Sequence, residues 1–140
     1  MKKFIFLEHT ADIKFQAFGN SLEGAFTQAF YALRETISGD IVVLTPIKKE
    51  MKITGTDLNN LLYKFLEESL FLLDSEDFLS AKIEEIKVDK EKLEVHAIIS
   101  GDKAKNYSFT NDVKAITYND MIIEFDEEKK SWLIQVVLDV

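Results

Sequence analysis

Hydrophobic periodicity changes character partway along this chain of 140 residues, and that change limits the folds open to it. The first half contains two stretches with apolar residues at helical spacing. Behind Ser21, a good N-cap, Phe26, Ala29, Phe30, Leu33 and Ile37 recur every three or four positions until Gly39, which suits a helix end. Thr56-Asp57 opens a second, longer helix. Its Leu58, Leu61, Leu62, Phe65, Leu66, Ser69, Leu72 and Leu73 cover a face broad enough to lie deep against a sheet. Strands are expected at Lys3–Leu7, at Ile13–Ala17 (Ile13, Phe15 and Ala17 alternating with Lys14 and Gln16) and at Ile47–Thr54. Beyond the second helix the pattern is strand alone: Ala81–Val88, Leu93–Ser100, Tyr107–Asn111, Ile116–Phe125 and Trp132–Asp139. The charged separators Asp89-Lys90-Glu91-Lys92 and Asp126-Glu127-Glu128-Lys129-Lys130 suit hairpin loops. Helices early and strands late define an α+β class. The expected architecture is a single domain, residues 1–140, with a largely antiparallel β-sheet and two helices packed on one face. The one proline, Pro46, falls in a connection, and no linker, repeat or low-complexity tract divides the chain.

Charge narrows the function. Lys and Arg total 17 against 25 Asp and Glu, a net of −8, so phosphate backbones are repelled by the overall field. Arg34 is the sole arginine, which leaves almost nothing to read phosphates or base edges in a bidentate way. Direct nucleic-acid binding is therefore disfavoured. The absence of cysteine removes disulfides, zinc–thiolate sites, iron–sulfur clusters and cysteine nucleophiles together. The opening Met-Lys-Lys-Phe-Ile-Phe-Leu-Glu begins like a leader, but its apolar run stops at Leu7, and no segment reaches the ~18 apolar residues of a membrane span. A soluble, cytoplasmic protein without membrane contact is expected.

Among catalytic patterns, the five glycines match neither nucleotide fingerprint, and His9 and His96 form no metal-binding histidine pair. Ser100-Gly101 has no second glycine for a nucleophile elbow. What remains is oxygen chemistry. Parity places Asp12 with Lys14 and Gln16 on the polar side of its strand. At the other end Trp132, Ile134, Val136 and Leu138 share one face, and Leu133, Gln135, Val137 and Asp139 the other. If Asp12 folds beside Asp139 and Val140, three oxygen groups meet that repel one another unless a hard cation such as Ca²⁺ or Mg²⁺ neutralises them. The alternative readings are ordinary: Asp12 as a turn or cap residue, Asp139-Val140 as a frayed end, His9 as a local hydrogen-bonder. Carboxylates less than about 5 Å apart would favour the cation.

Several motifs are familiar in order and spacing. Glu8-His9-Thr10-Ala11-Asp12-Ile13, Val113-Lys114-Ala115-Ile116-Thr117-Tyr118 and the ending Trp132…Val136-Val137-Leu138-Asp139-Val140 resemble the archease family. So do the helix starts Ser21-Leu22-Glu23-x-Ala25-Phe26 and Asp57-x-x-x-Leu61-Leu62. The resemblance runs essentially end to end, with one departure: Asn119 stands where the family commonly has histidine, and an amide cannot carry a proton at neutral pH. The resemblance implies a small α+β accessory protein, not itself an enzyme, whose partner is the tRNA-splicing RNA ligase. It would promote guanylylation and repeated turnover of that ligase and broaden its nucleotide use. It further implies metal positions at Asp12, Asp139 and Val140, with His9, Lys114 and Tyr118 as supporting residues. The implied cofactor is a divalent metal, Ca²⁺ first and Mg²⁺ or Mn²⁺ as alternatives. RNA would be contacted only indirectly, and the chain is expected to be a monomer. Two other functions compete: a chaperone-like interaction module with a purely structural metal, and a metal-dependent phosphoester hydrolase.

Overall fold

The computed structural model describes residues 3–9 and 11–140, leaving Met1, Lys2 and Thr10 outside the described residues. Seven strands and two helices follow in the order β1 (Phe4–Leu7), β2 (Ile13–Gly19), α1 (Leu22–Ser38), β3 (Ile47–Thr54), α2 (Leu58–Glu76), β4 (Phe78–Asp89), β5 (Glu94–Lys103), β6 (Ala115–Asp126) and β7 (Ser131–Asp139). A short 3-10 turn, Ala104–Asn106, follows β5.

Local chemistry sets the helix ends. Ser21 accepts a hydrogen bond from the Gly24 N–H and starts α1; Asp57 does the same for Asn60 at the start of α2. Gly39 closes α1 at φ 68°, a region costly for residues with a Cβ, while its N–H donates to the Glu35 carbonyl. Gly19 is required by a close approach instead, since a Cβ there would lie 2.3 Å from the Ala25 nitrogen. That contact lets β2 run directly under the start of α1. The hairpins β4–β5 and β6–β7 use one device: Asp89 accepts from the N–H groups of Glu91 and Lys92, and Asp126 from those of Glu128 and Lys129.

The α+β class and the two helices are as expected, and every strand pairing is antiparallel. The strands form two sheets, however: a four-stranded one of order β1-β2-β7-β6 and a three-stranded one of order β3-β5-β4. Helix α1 packs on β2 and β4 and α2 on β6 and β4, so both helices span both sheets. Phe15, Phe26, Phe30, Phe65, Met51, Ile99 and Ile134 join in one core drawn from all these layers. The partition escaped the sequence reading because alternation identifies a strand but not its partner. The expected strand Tyr107–Asn111 is absent, and these residues belong to a loop. There the Tyr107 hydroxyl donates to the Asp102 carboxylate at 2.7 Å and accepts from the Leu44 N–H, so the tyrosine anchors a connection.

Candidate functional site

Strand β7 lies between β2 and β6, and its end is the focus of the candidate site. Ile13 pairs with Leu138 and Ala115 with Asp139. Continuing the first register by one residue sets Asp12 opposite Asp139 on the neighbouring strand. The Lys114 N–H donates to the Asp139 carbonyl at 2.8 Å, which extends the β6–β7 ladder past the last paired strand residue. Val140 packs against the core. The segment is therefore paired and packed, and a frayed end is excluded for it. Asp12, Asp139, Val140 and Lys114 gather at one end of the four-stranded sheet, although far apart in the chain.

His9 joins them from the preceding turn. Its Nδ1 lies 3.6 Å from Asp12 Oδ2, both side chains about a third exposed or less. The turn is made possible by Ala11, which sits at φ 66°. A non-glycine residue in that region costs energy, and such strain is commonly retained where function needs it. Thr10, within the same motif, lies outside the described residues.

An open groove of about 850 Å³ adjoins this turn, lined by Phe6, Leu7, Glu8, His9, Asp12, Ile13, Glu35 and Thr36. Among the described residues three carboxylates and no lysine or arginine border it, so the groove carries a negative field. Glu35 was not picked out from the sequence, and Glu8 only as the first residue of a motif. Their contribution depends on α1 passing beside β1, a long-range contact that no local pattern reports.

Tyr118 is placed differently. Its ring stacks on Tyr63 of α2 with centroids 4.4 Å apart, and its hydroxyl accepts from Asn60 Nδ2 at 2.9 Å. It thus ties β6 to α2, with half of its surface exposed. Burial and the neighbouring Glu67 raise the pKa of the Tyr63 phenol, so the stacked partner stays neutral well above neutral pH. Beyond Thr117 the chain leaves the β7 register and rejoins at Ile122, an excursion containing Asn119 and Asp120, the latter at φ 52°. Lys14 Nζ lies 3.3 Å from Asp120 Oδ2, and Gln135 Nε2 donates to the Asp120 carbonyl at 2.8 Å. Asp120 was not foreseen either, because no glycine or proline marks the excursion.

The donor set is oxygen: two aspartates and the main chain at Val140, with an imidazole at hand. That chemistry suits a hard divalent cation. Among the described residues, no group of three or more His, Cys, Asp or Glu side chains is arranged to hold a metal. Among the described residues no helix is long and apolar enough to cross a membrane.

Fold and site together define a small two-sheet α+β protein that brings carboxylates from both ends of its sequence to one sheet end. The chain belongs to the archease family: the archease protein family (MTH1598/TM1083) matches residues 4–140. It is 34% identical to the protein archease of Methanosarcina mazei over 143 residues, covering 99% of this chain and 97% of that one. It is 36% identical to the protein archease of Pyrococcus abyssi, with both chains covered completely. The solution structure of Methanobacterium thermoautotrophicum protein 1598 superposes with a TM-score of 0.81 at 32% identity, again over the whole of both chains. At the level of the family, membership implies an accessory protein of RNA ligation in tRNA splicing.

Proposed function

We propose that this protein activates the tRNA-splicing RNA ligase, promoting guanylylation and repeated turnover of that enzyme and broadening its nucleotide use. In this reading Asp12, Asp139 and a main-chain oxygen of Val140 hold a divalent cation, Ca²⁺ or its alternatives Mg²⁺ and Mn²⁺. The observation that carries it is the register that sets Asp12 opposite Asp139 in a chain matched by the archease family over residues 4–140. A bound divalent cation would offset negative charge on a nucleotide triphosphate.

The chain's own residues account for the rest. Asp12 and Asp139 supply anionic oxygens from adjacent strands. The Lys114–Asp139 main-chain bond holds the end of β7 in place, and His9 orients the Asp12 carboxylate. The net charge of −8 and the carboxylates of the groove favour docking on a basic, RNA-binding surface and oppose binding of RNA itself.

The test is ligation under multiple-turnover conditions. Asp12→Ala or Asp139→Ala should keep the circular dichroism spectrum of the parent and lower stimulation by more than the ~10–100-fold that changes around a metal site cost. Full stimulation by both variants would overturn the proposal. Joining adjacent strands also suits a cation acting as a structural clip. In that case thermal stability falls and stimulation follows only in proportion.

A further inference from the structure

Where α1, α2 and β4 meet, the core contains a polar pocket that plays no part in the function above. Arg34 of α1 is the chain's only arginine, and among the described residues no carboxylate lies within 4.0 Å of its guanidinium. Its Nη2 donates to the Ile41 carbonyl at 3.0 Å. Its Nε is buried and has no hydrogen-bond partner among the described residues, and the same holds for Ser69 Oγ of α2 and Ser80 Oγ of β4. The two serines are 5% and 6% exposed. All three residues line one small, partly enclosed cavity of about 10 Å³, whose remaining wall is apolar and includes Phe30, Ile37 and Leu79.

Buried polar atoms left unpaired are rare, and three facing one cavity are rarer. A cavity of about 10–15 Å³ admits a single water, which needs two to four polar partners. We infer that Arg34 Nε, Ser69 Oγ and Ser80 Oγ form a binding site for one internal water molecule that bridges the two helices and the three-stranded sheet. The donor inventory closes. Nε–H can only donate, so the water accepts from it; each serine hydroxyl can donate or accept, which leaves the water both its protons and its second lone pair to place. A chloride ion would also take three donors, but it is larger than the cavity suits and must enter a protein with a charge of −8. The site also explains arginine at position 34 in a chain otherwise furnished with lysine. A guanidinium reaches Ile41 with one nitrogen and the cavity with another, a fork that an ammonium cannot make.

Oxygen-17 magnetic relaxation dispersion counts long-lived internal waters in solution. Ser69→Val, which replaces the hydroxyl with one methyl and adds a second that takes up cavity space, should remove one such water from the count found for the unsubstituted protein. Arg34→Lys should lower the thermal midpoint by roughly 4 °C, the effect of losing one buried hydrogen-bonding group in a domain of this size. An unchanged water count in Ser69→Val would overturn the inference. If that variant does not fold, crystals of the unsubstituted protein soaked in bromide decide. A water peak with no anomalous signal at the three atoms supports the site; a bromide peak there overturns it in favour of an anion.

Discussion

The two sheets treat their outer faces in opposite ways. In the three-stranded sheet alternation holds along Val95–Ile99, before β5 becomes buried throughout from Ile99 to Asp102: Met51, Val95, Ala97 and Ile99 enter the core, while Lys52, His96 and Lys87 form one registered row on the far side and Glu50, Ile98 and Glu85 the next. That face is a solvated surface in which rows of opposite sign lie side by side, with no pairing beyond contacts such as His96–Glu50 at 3.6 Å. In the four-stranded sheet, β7 is buried without interruption from Ile134 to Leu138. Ile134, Val136 and Leu138 face the helices. Gln135 and Val137 face the other way and are buried nevertheless; the excursion after Thr117 covers Gln135, which bonds the Asp120 carbonyl, and brings the Asp120 carboxylate to Lys14 beside Val137. The candidate site lies at the end of the strand that is buried on both sides. Rigid support on both faces is what a site built from strand ends needs, since positions fixed by packing hold their side chains more precisely than loops do.

Four substitutions test this contrast, ranked from the largest effect to the smallest with Ile98→Asp as the comparator of the first. Val137→Asp places an unpaired carboxylate at a position 1% exposed and should abolish stable folding, costing at least about 4 kcal/mol, whereas Ile98→Asp on the open face of the other sheet should cost about 1 kcal/mol or less. Equal losses in urea titrations of the two variants would show that the excursion does not cover β7. Gln135→Ala leaves the Asp120 carbonyl and the Gln16 amide, now bonded at 2.8 and 2.9 Å, without partners. A loss of about 1–3 kcal/mol is expected by chemical denaturation, and a loss below about 0.5 kcal/mol would mean that the excursion is held by other contacts.

The smallest effect is one of pH and lies in the other sheet. The Tyr107 hydroxyl, and after it the Lys103 N–H, hold the Asp102 carboxyl below the usual aspartate range. A depressed carboxylate contributes stability above its unfolded pKa, and that contribution is lost as pH falls through the lower folded value. Tyr107→Phe should therefore lower the thermal midpoint at pH 7 and flatten its dependence on pH below about 4. A midpoint profile parallel to that of the parent down to pH 2 would remove the hydrogen bond from the account.

Much of the fold was legible because its signals are local. Ser21, Gly39 and Asp57 mark helix ends by capping chemistry, and Ile47–Thr54 matches the observed strand to the residue. What was not legible is pairing. Nothing in the composition of β5 says that it joins β3 and β4 while β7 joins β2 and β6. Tyr107 misled because its alternating neighbours look like a strand until its hydroxyl finds Asp102 and Leu44. The site was half legible. Parity put Asp12 on the polar side of its strand and Asp139 on the face it shares with Leu133, Gln135 and Val137, and the register now sets one opposite the other. Glu35 and Asp120 came into view only with the long-range contacts that carry them there.

The pairing of Ile13 with Leu138 also bears on timing. Strand β2 completes its ladder with β7, where Gln16 meets Gln135 across a separation of 119 residues, and contacts so distant in sequence are the slow ones to form. Incomplete or partly opened chains thus hold Asp12 and Asp139 apart. The acidic sheet end therefore assembles only once this long-range pairing has formed.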